Sequence, residues 1–332
     1  MKLSPSKLPL ATLCLGTVLS LFSDAFAAEP DADLQKTFAV KPGGKLVLDV
    51  DRGSIRVSLG ADDRVECRVS RRVRIGSAAK VLAAHEVTFT QEGNEVTIRA
   101  RFDRAAAGLS FWRSANLQVA YEITVPARFN TDLKTAGGRV SVHCLAGEMR
   151  LQTACGNIEA DKIDGTLWAR TSGGDISAKG ISGAIDVHTS GGNIRIDGAG
   201  ASVRANTSGG SVRVRDVRGQ VRLETSGGNI HAEGIAASIH ASTSGGNVTV
   251  NLAGPPDGDC VLHTSGGNVH LNVPERLSAN LDAHTSGGTV TCDLPITVQG
   301  TQKRHELKGR LGDGGPLLKL QTSGGNIRVA KS

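Results

Sequence analysis

Aromatic side chains are scarce in this sequence: seven Phe, two Trp and one Tyr among 332 residues, alongside only two Met. A thick globular interior ordinarily draws much of its bulk from rings, so a large rounded core would be atypical. Beyond the first 27 residues no apolar run is long enough to span a bilayer as a helix. Low complexity is missing too, because the 42 Gly recur at a fixed spacing rather than in a tract. Neither collagen nor disorder has that pattern. The apolar positions are filled by Val, Ile, Leu and Ala, as in a repeat protein.

The N-terminus is expected to be a targeting segment. Lys2 and Lys7 form a basic start, Leu8 to Phe22 an apolar stretch, and Ala25-Phe26-Ala27 a small-x-small cleavage site. This reads as a secretory signal peptide over residues 1–27 rather than a membrane span. Cys14 follows Leu13 inside the apolar stretch, which does not fit a lipoprotein signal. Cleavage would remove two positive charges and one negative, taking the formal +6 to +5. The expectation is an exported chain, periplasmic or secreted, without a membrane-spanning segment, and neither its compartment nor its charge suits nucleic acid.

A tetrapeptide of Thr, Ser or Ala, Gly or Cys, then Gly begins at Thr135, Thr153, Thr171, Thr189, Thr207, Thr225, Thr243, Thr264, Thr285 and Thr322. Its intervals are 18 six times, then 21, 21 and 37. Counting each Thr as position 0, positions +5 and +7 are apolar in every copy, for example Ile176 and Ala178 or Val212 and Val214. Positions −4 and −2 are apolar too, with Thr131 the one exception. Two short stretches of period-two alternation per repeat are the mark of half-buried strands, separated here by two corners. A coil of this kind buries its inner face only by stacking on its neighbours.

The expected fold is therefore all-β: a single-stranded parallel β-solenoid, a right-handed β-helix of about 18-residue coils, over residues 131–332. An insertion near 295–316 would protect its far end. The paired glycines Gly173 and Gly174, Gly191 and Gly192, Gly209 and Gly210, Gly227 and Gly228, and Gly245 and Gly246 are expected to form structural corners through positive φ. The Asn after them would bond locally to its own turn, and the inward Thr would cap the corner. Residues 28–130 read as a divergent β region that starts and caps the solenoid. Within it Val50 to Ile55 looks like a worn corner, Gln91 to Asn94 a hairpin turn, residues 77–84 a short helix, and Leu117 to Val125 a strand.

Gly44 to Leu48, Gly53 to Val57, Glu122 to Pro126, the TSGGNI coils and the closing Gly314 to Ile327 together resemble a family. It is the bacterial putative-adhesin family of unknown function, and the resemblance covers about residues 37–330. It implies an exported or envelope-associated β-solenoid and carries no catalytic residues to transfer.

Other chemistry was weighed on the outward positions. Positions +4, +6 and +8 mix signs without an acidic cluster, so no catalytic residue is assigned, and an extracytoplasmic glycan-processing β-helix enzyme is the alternative to a binding protein. No cofactor is expected. His263 and His284 both fall at −1 on coils that follow each other in sequence, which would put them about 5 Å apart as weak metal candidates, although nothing with ligand spacing joins them. Flat Thr ranks for ice binding do not fit, because the Thr column points inward. The repeated Asp of a calcium-binding roll is missing.

At −3 and −1 parity turns Trp168 outward, between Arg150 and Arg170 placed on neighbouring strands. This is the candidate ligand site, an aromatic platform for a sugar ring or anionic envelope polymer, unless a loop such as that with Phe111 and Trp112 covers it. Envelope polysaccharide or a protein partner is the expected occupant. Of the cysteines, Cys144, Cys155, Cys260 and Cys292 lie too far apart by register to bond and are expected as thiols; the neighbours of Cys67 are not fixed by the repeat.

Overall fold

In the computed structural model of the chain, which describes residues 33–74, 78–103, 117–298 and 303–332, the alternating stretches become two sheets of 14 and 15 strands around one hydrophobic core. In each coil a strand ending at the Thr, such as Leu167–Thr171, joins the 15-stranded sheet. After the corner a second strand, such as Ile176–Ile181, joins the 14-stranded sheet. Successive coils pair in parallel and in register, with Leu167 opposite Ile185, Thr171 opposite Thr189 and Ile176 opposite Ile194. The described chain is a parallel β-solenoid.

The core is thin, which explains the shortage of rings. The coils are filled by Ile, Val, Leu and Ala, while the fully buried Tyr121 and Phe129 sit at the N-terminal end. Thr131, the exception at −4, is buried as well, its hydroxyl 3.2 Å from the Met149 sulfur. The structure adds an inward column absent from the alternation rule: Leu145, Ile163, Ile181, Ala199, Val217 and Ile235, at position +10, are all buried. Each follows a residue with positive φ, namely Cys144 (57°), Lys162 (55°), Gly180 (62°), Gly198 (81°), Asp216 (53°) and Gly234 (69°). A left-handed residue interrupts the pleat, so +7 and +10 both face inward.

The corners differ from expectation in two ways. Among the +3 glycines only Gly138 has positive φ (134°), as does Gly53 (109°) in the worn corner. Gly173, Gly174 and their counterparts do not. What requires Gly is proximity: a Cβ on Gly174 would lie 2.1 Å from the Gly156 carbonyl oxygen, and one on Gly210 2.0 Å from that of Gly192. At +2 there is room, since a Cβ on Gly173 or Gly209 meets nothing nearer than 3.9 or 3.6 Å. Cys155 accordingly occupies +2 in its own coil, whereas +3 is Gly in all ten copies.

The second difference concerns Asn. Its side chain reaches the next coil instead of its own turn: Asn157 Oδ1 accepts from the Asp175 amide at 3.0 Å, and Asn193 Oδ1 from the Ser211 amide at 2.9 Å. The Thr hydroxyl links coils too. Thr189 donates to the Gly174 carbonyl of the preceding coil at 2.8 Å and accepts from the Gly192 amide of its own corner at 3.3 Å. Corner and stacking are thus satisfied by one buried hydroxyl.

Upstream, Val50 lies opposite Thr135 and Ile55 opposite Val140, so the worn corner is a coil in register with the rest. His85–Glu92 and Glu95–Phe102 form the hairpin, and Ala78–Ala83 the helix. Here chain order and stacking order part. The coil of Gly44–Val50 and Ser54–Leu59 sits between the strands Glu95–Phe102 and Leu117–Val125 on one side and the Thr135 coil on the other. Antiparallel strands, His85–Glu92 in one sheet and Arg64–Val73 then Leu34–Ala39 in the other, end the stack.

A second reordering occurs at the far end. Leu317–Thr322 pairs in parallel with both Cys260–Thr264 and Ala279–Thr285, and Ile327–Lys331 lies between Val269–Val273 and Val290–Cys292. The Thr322 coil is therefore inserted between the Thr264 and Thr285 coils. Glu306–Leu311 and Ile296–Val298 finish the 15-stranded sheet antiparallel, ending the parallel ladder with strands of opposite direction.

Candidate functional site

Trp168 arises from parity: in Leu167–Thr171 the residues at −4, −2 and 0 are buried, so −3 and −1 face out. Trp168 is half-buried, and Arg150 and Arg170 are exposed. Arg150 stands opposite Trp168 on the preceding coil, but Arg170 is two residues along the same strand. Only Arg150 therefore comes from a neighbouring strand, a correction to the expected flanking. Both guanidiniums approach the indole, with their central carbons 4.7 and 4.8 Å from the ring centroid. Phe111 and Trp112, the expected cover, lie outside the described residues.

Two like charges gathered at one ring repel each other, and the indole's π face offsets part of that by cation–π attraction of about 0.5–1 kcal/mol each at an exposed site. Among the described residues neither guanidinium has an ion-pair partner. Asp132 lies opposite Arg150, and Asp186 opposite Trp168, on the flanking coils. The cluster thus offers two donor forks suited to carboxylate or phosphate oxygens, with the ring chiefly holding them together.

The same column continues along the rod. Trp168, Asp186, Arg204, Arg222 and His240 follow one another at −3 and line a groove of about 470 Å³ over the starts of their strands. Arg222 is paired with Glu224, whereas Arg204 is exposed and has no ion-pair partner among the described residues. Burial, and then the Arg222 charge, lower the His240 pKa below its ordinary 6.5. His240 went unnoticed in the sequence; adding 18 to Arg222 finds it.

The two metal candidates are not brought together. His263 lies opposite Gln321, and Gln321 opposite His284, because the Thr322 coil intervenes. Their strands are two spacings apart, roughly 10 Å. His284 instead makes an edge contact with His305, ring centroids 6.3 Å apart. Among the described residues no group of three or more His, Cys, Asp or Glu is placed to hold a metal ion.

All five described cysteines are free: Cys67 and Cys260 buried, Cys144 and Cys155 exposed, Cys292 between. Burial pushes the Cys67 thiol up to about 12 and the Cys260 thiol to about 11, so both stay protonated as small fillers. A buried polar cluster occupies the N-terminal end. His85 is 2% exposed, its Nε2 is 3.4 Å from the Tyr121 hydroxyl, and its Nδ1 has no hydrogen-bond partner among the described residues. Arg71 donates to the His85 carbonyl at 3.3 Å. Burial first, then the Arg71 charge, lower the His85 pKa to about 4.

These features define an all-β repeat protein, a parallel solenoid closed by antiparallel strands and bearing an outward Arg–Trp–Arg cluster. The chain belongs to the Toastrack DUF4097 family, which it matches over residues 44–330. Several solved structures are similar to it. A "putative cell adhesion protein" from Clostridium sporogenes is 11% identical, covering 90% of this chain and 100% of that one at a TM-score of 0.21. A "putative adhesin" from Bacteroides fragilis is 13% identical, covering 90% and 97% at 0.36. Another from Parabacteroides distasonis is 12% identical, covering 91% and 98% at 0.32. No curated protein matches the chain. Among the described residues no helix is long and apolar enough to cross a membrane.

Proposed function

We propose that this protein is an exported, non-catalytic binding protein of the bacterial envelope that holds an anionic polymer through Arg150, Arg170 and Trp168. The observation that carries the reading is the pair of guanidiniums 4.7 and 4.8 Å from the centroid of one indole, neither of which makes an ion pair among the described residues. Such a pair is held ready for an acidic group, and the rigid sheet beneath fixes its spacing. Export rests on the N-terminal segment, whose basic start, apolar stretch and Ala25-Phe26-Ala27 site suit a signal peptide.

The test is retention of the purified protein on envelope polysaccharide. Arg150→Ala with Arg170→Ala should weaken retention at least tenfold, as loss of two charge-assisted contacts implies, while leaving the thermal midpoint within a few degrees. Unchanged retention in the double variant would exclude the cluster as the contact site. Turnover of the glycan by the unmodified protein would favour a processing enzyme instead.

A further inference from the structure

The groove beside the cluster runs along the rod axis, crossing one coil after another. From Trp168 to His240 it spans five coils, hence roughly 19 Å at the strand spacing. The exposed Thr166, Ala184, Ser202 and Gln220, one from each successive coil, line it beside the −3 column. A straight channel with a repeating wall is shaped for a linear chain rather than a compact molecule.

The wall is not uniformly positive. Arg204 and Arg222 stand directly opposite each other on adjacent strands, a like-charge pair that Glu224 offsets only on the Arg222 side, leaving Arg204 open to a ligand anion. Asp186 stands between Trp168 and Arg204, and a carboxylate there repels an evenly charged polyanion but accepts hydrogen bonds from hydroxyl groups. The required occupant therefore carries acids at some positions and hydroxyls at others.

We infer that the groove from Trp168 to His240 binds a linear acidic polysaccharide lying parallel to the rod, with carboxylates on Arg204 and Arg222 and a sugar hydroxyl on Asp186. This rests on the proposed binding role and extends the Arg150–Trp168–Arg170 cluster into one end of a longer site. His240, at the other end, adds a ring nitrogen for hydrogen bonding.

The experiment measures affinity of the full chain for galacturonate oligomers of increasing length, with polyglutamate as a carboxylate chain lacking sugar hydroxyls. Affinity is expected to rise with length until the oligomer fills the five coils and then level off. Arg204→Ala with Arg222→Ala should weaken the longer oligomers tenfold or more and remove the length dependence. Asp186→Ala should weaken galacturonate yet strengthen polyglutamate, a pair of opposite signs that general charge cannot give.

If the Arg204 and Arg222 double variant binds as the unmodified protein does while the Arg150 and Arg170 variant does not, the groove is overturned and the cluster stands. If Asp186→Ala strengthens both ligands, the occupant is read by charge alone and its identity as a sugar chain is wrong. Absence of binding to every oligomer length overturns the groove, and the retention assay then decides the cluster independently.

Discussion

Two adjacent glycines in one corner meet different surroundings. A Cβ on Gly209 would find ordinary contact, its nearest neighbour 3.6 Å away, whereas one on Gly210 would lie 2.0 Å from the Gly192 carbonyl oxygen. Gly210→Ala is expected to cost about 2 kcal/mol or more, because backbone on both coils must move. Gly209→Ala should change stability by no more than about 1 kcal/mol, since the added methyl clashes with nothing and Ala narrows the unfolded ensemble. Chemical denaturation of the two variants checks this, and equal losses would contradict close stacking as the reason for the second glycine. The sequence displayed the difference in advance, through Cys155 at the first position, but a reading in terms of turn conformation passed over it. Apart from Gly53 and Gly138, the positive φ angles of the coils fall on the opposite corner, at glycines such as Gly180 and also at Cys144, Lys162 and Asp216, whose side chains do not advertise that geometry.

Among the elements, the coils, the hairpin of His85–Glu92 with Glu95–Phe102 and the strand Leu117–Val125 were legible, whereas the pairing of the other capping strands was not, for a physical reason. Within the solenoid a residue's spatial neighbour is 18 positions away, so sequence spacing is itself the contact map: Arg150 next to Trp168 follows by addition. The caps have no such rule, since antiparallel partners such as Arg64–Val73 and Leu117–Val125 are chosen by individual side chains. The same limit undid the His263 and His284 pair, which succession in sequence placed together and an inserted coil holds apart. The N-terminal cap also has its own pH response. Because His85 titrates at about 4 when folded, below the ordinary 6.5, the unfolded chain takes up the proton first on acidification. Stability of the cap should be full above pH 6.5 and fall progressively between there and pH 4. His85→Leu should flatten that part of the melting-temperature profile, and an unchanged slope would assign it to other groups.

For the whole molecule, a stack in which each coil touches only its neighbours should fail locally. Leu320 is fully buried in the inserted coil, and Leu320→Asp places a charge there at a cost of several kcal/mol. Hydrogen exchange should then show lost protection in both flanking strands, Cys260–Thr264 and Ala279–Thr285, with Met149–Thr153 and Val203–Thr207 unaffected. Loss confined to one flank would mean that the coil is not inserted between them. The insertion also orders events in time. Residues 279–292 are synthesised before residues 317–331, yet the later segment lies inside the earlier one, 58 positions along the chain from the threonine it stacks upon. The distal rungs therefore cannot take their final places until residues 317–331 have been made, and a long loop must close before their hydrogen bonds form. The coils from Thr135 to Thr264 can assemble as they appear, whereas the Thr285 coil waits for a later segment that then locks what preceded it.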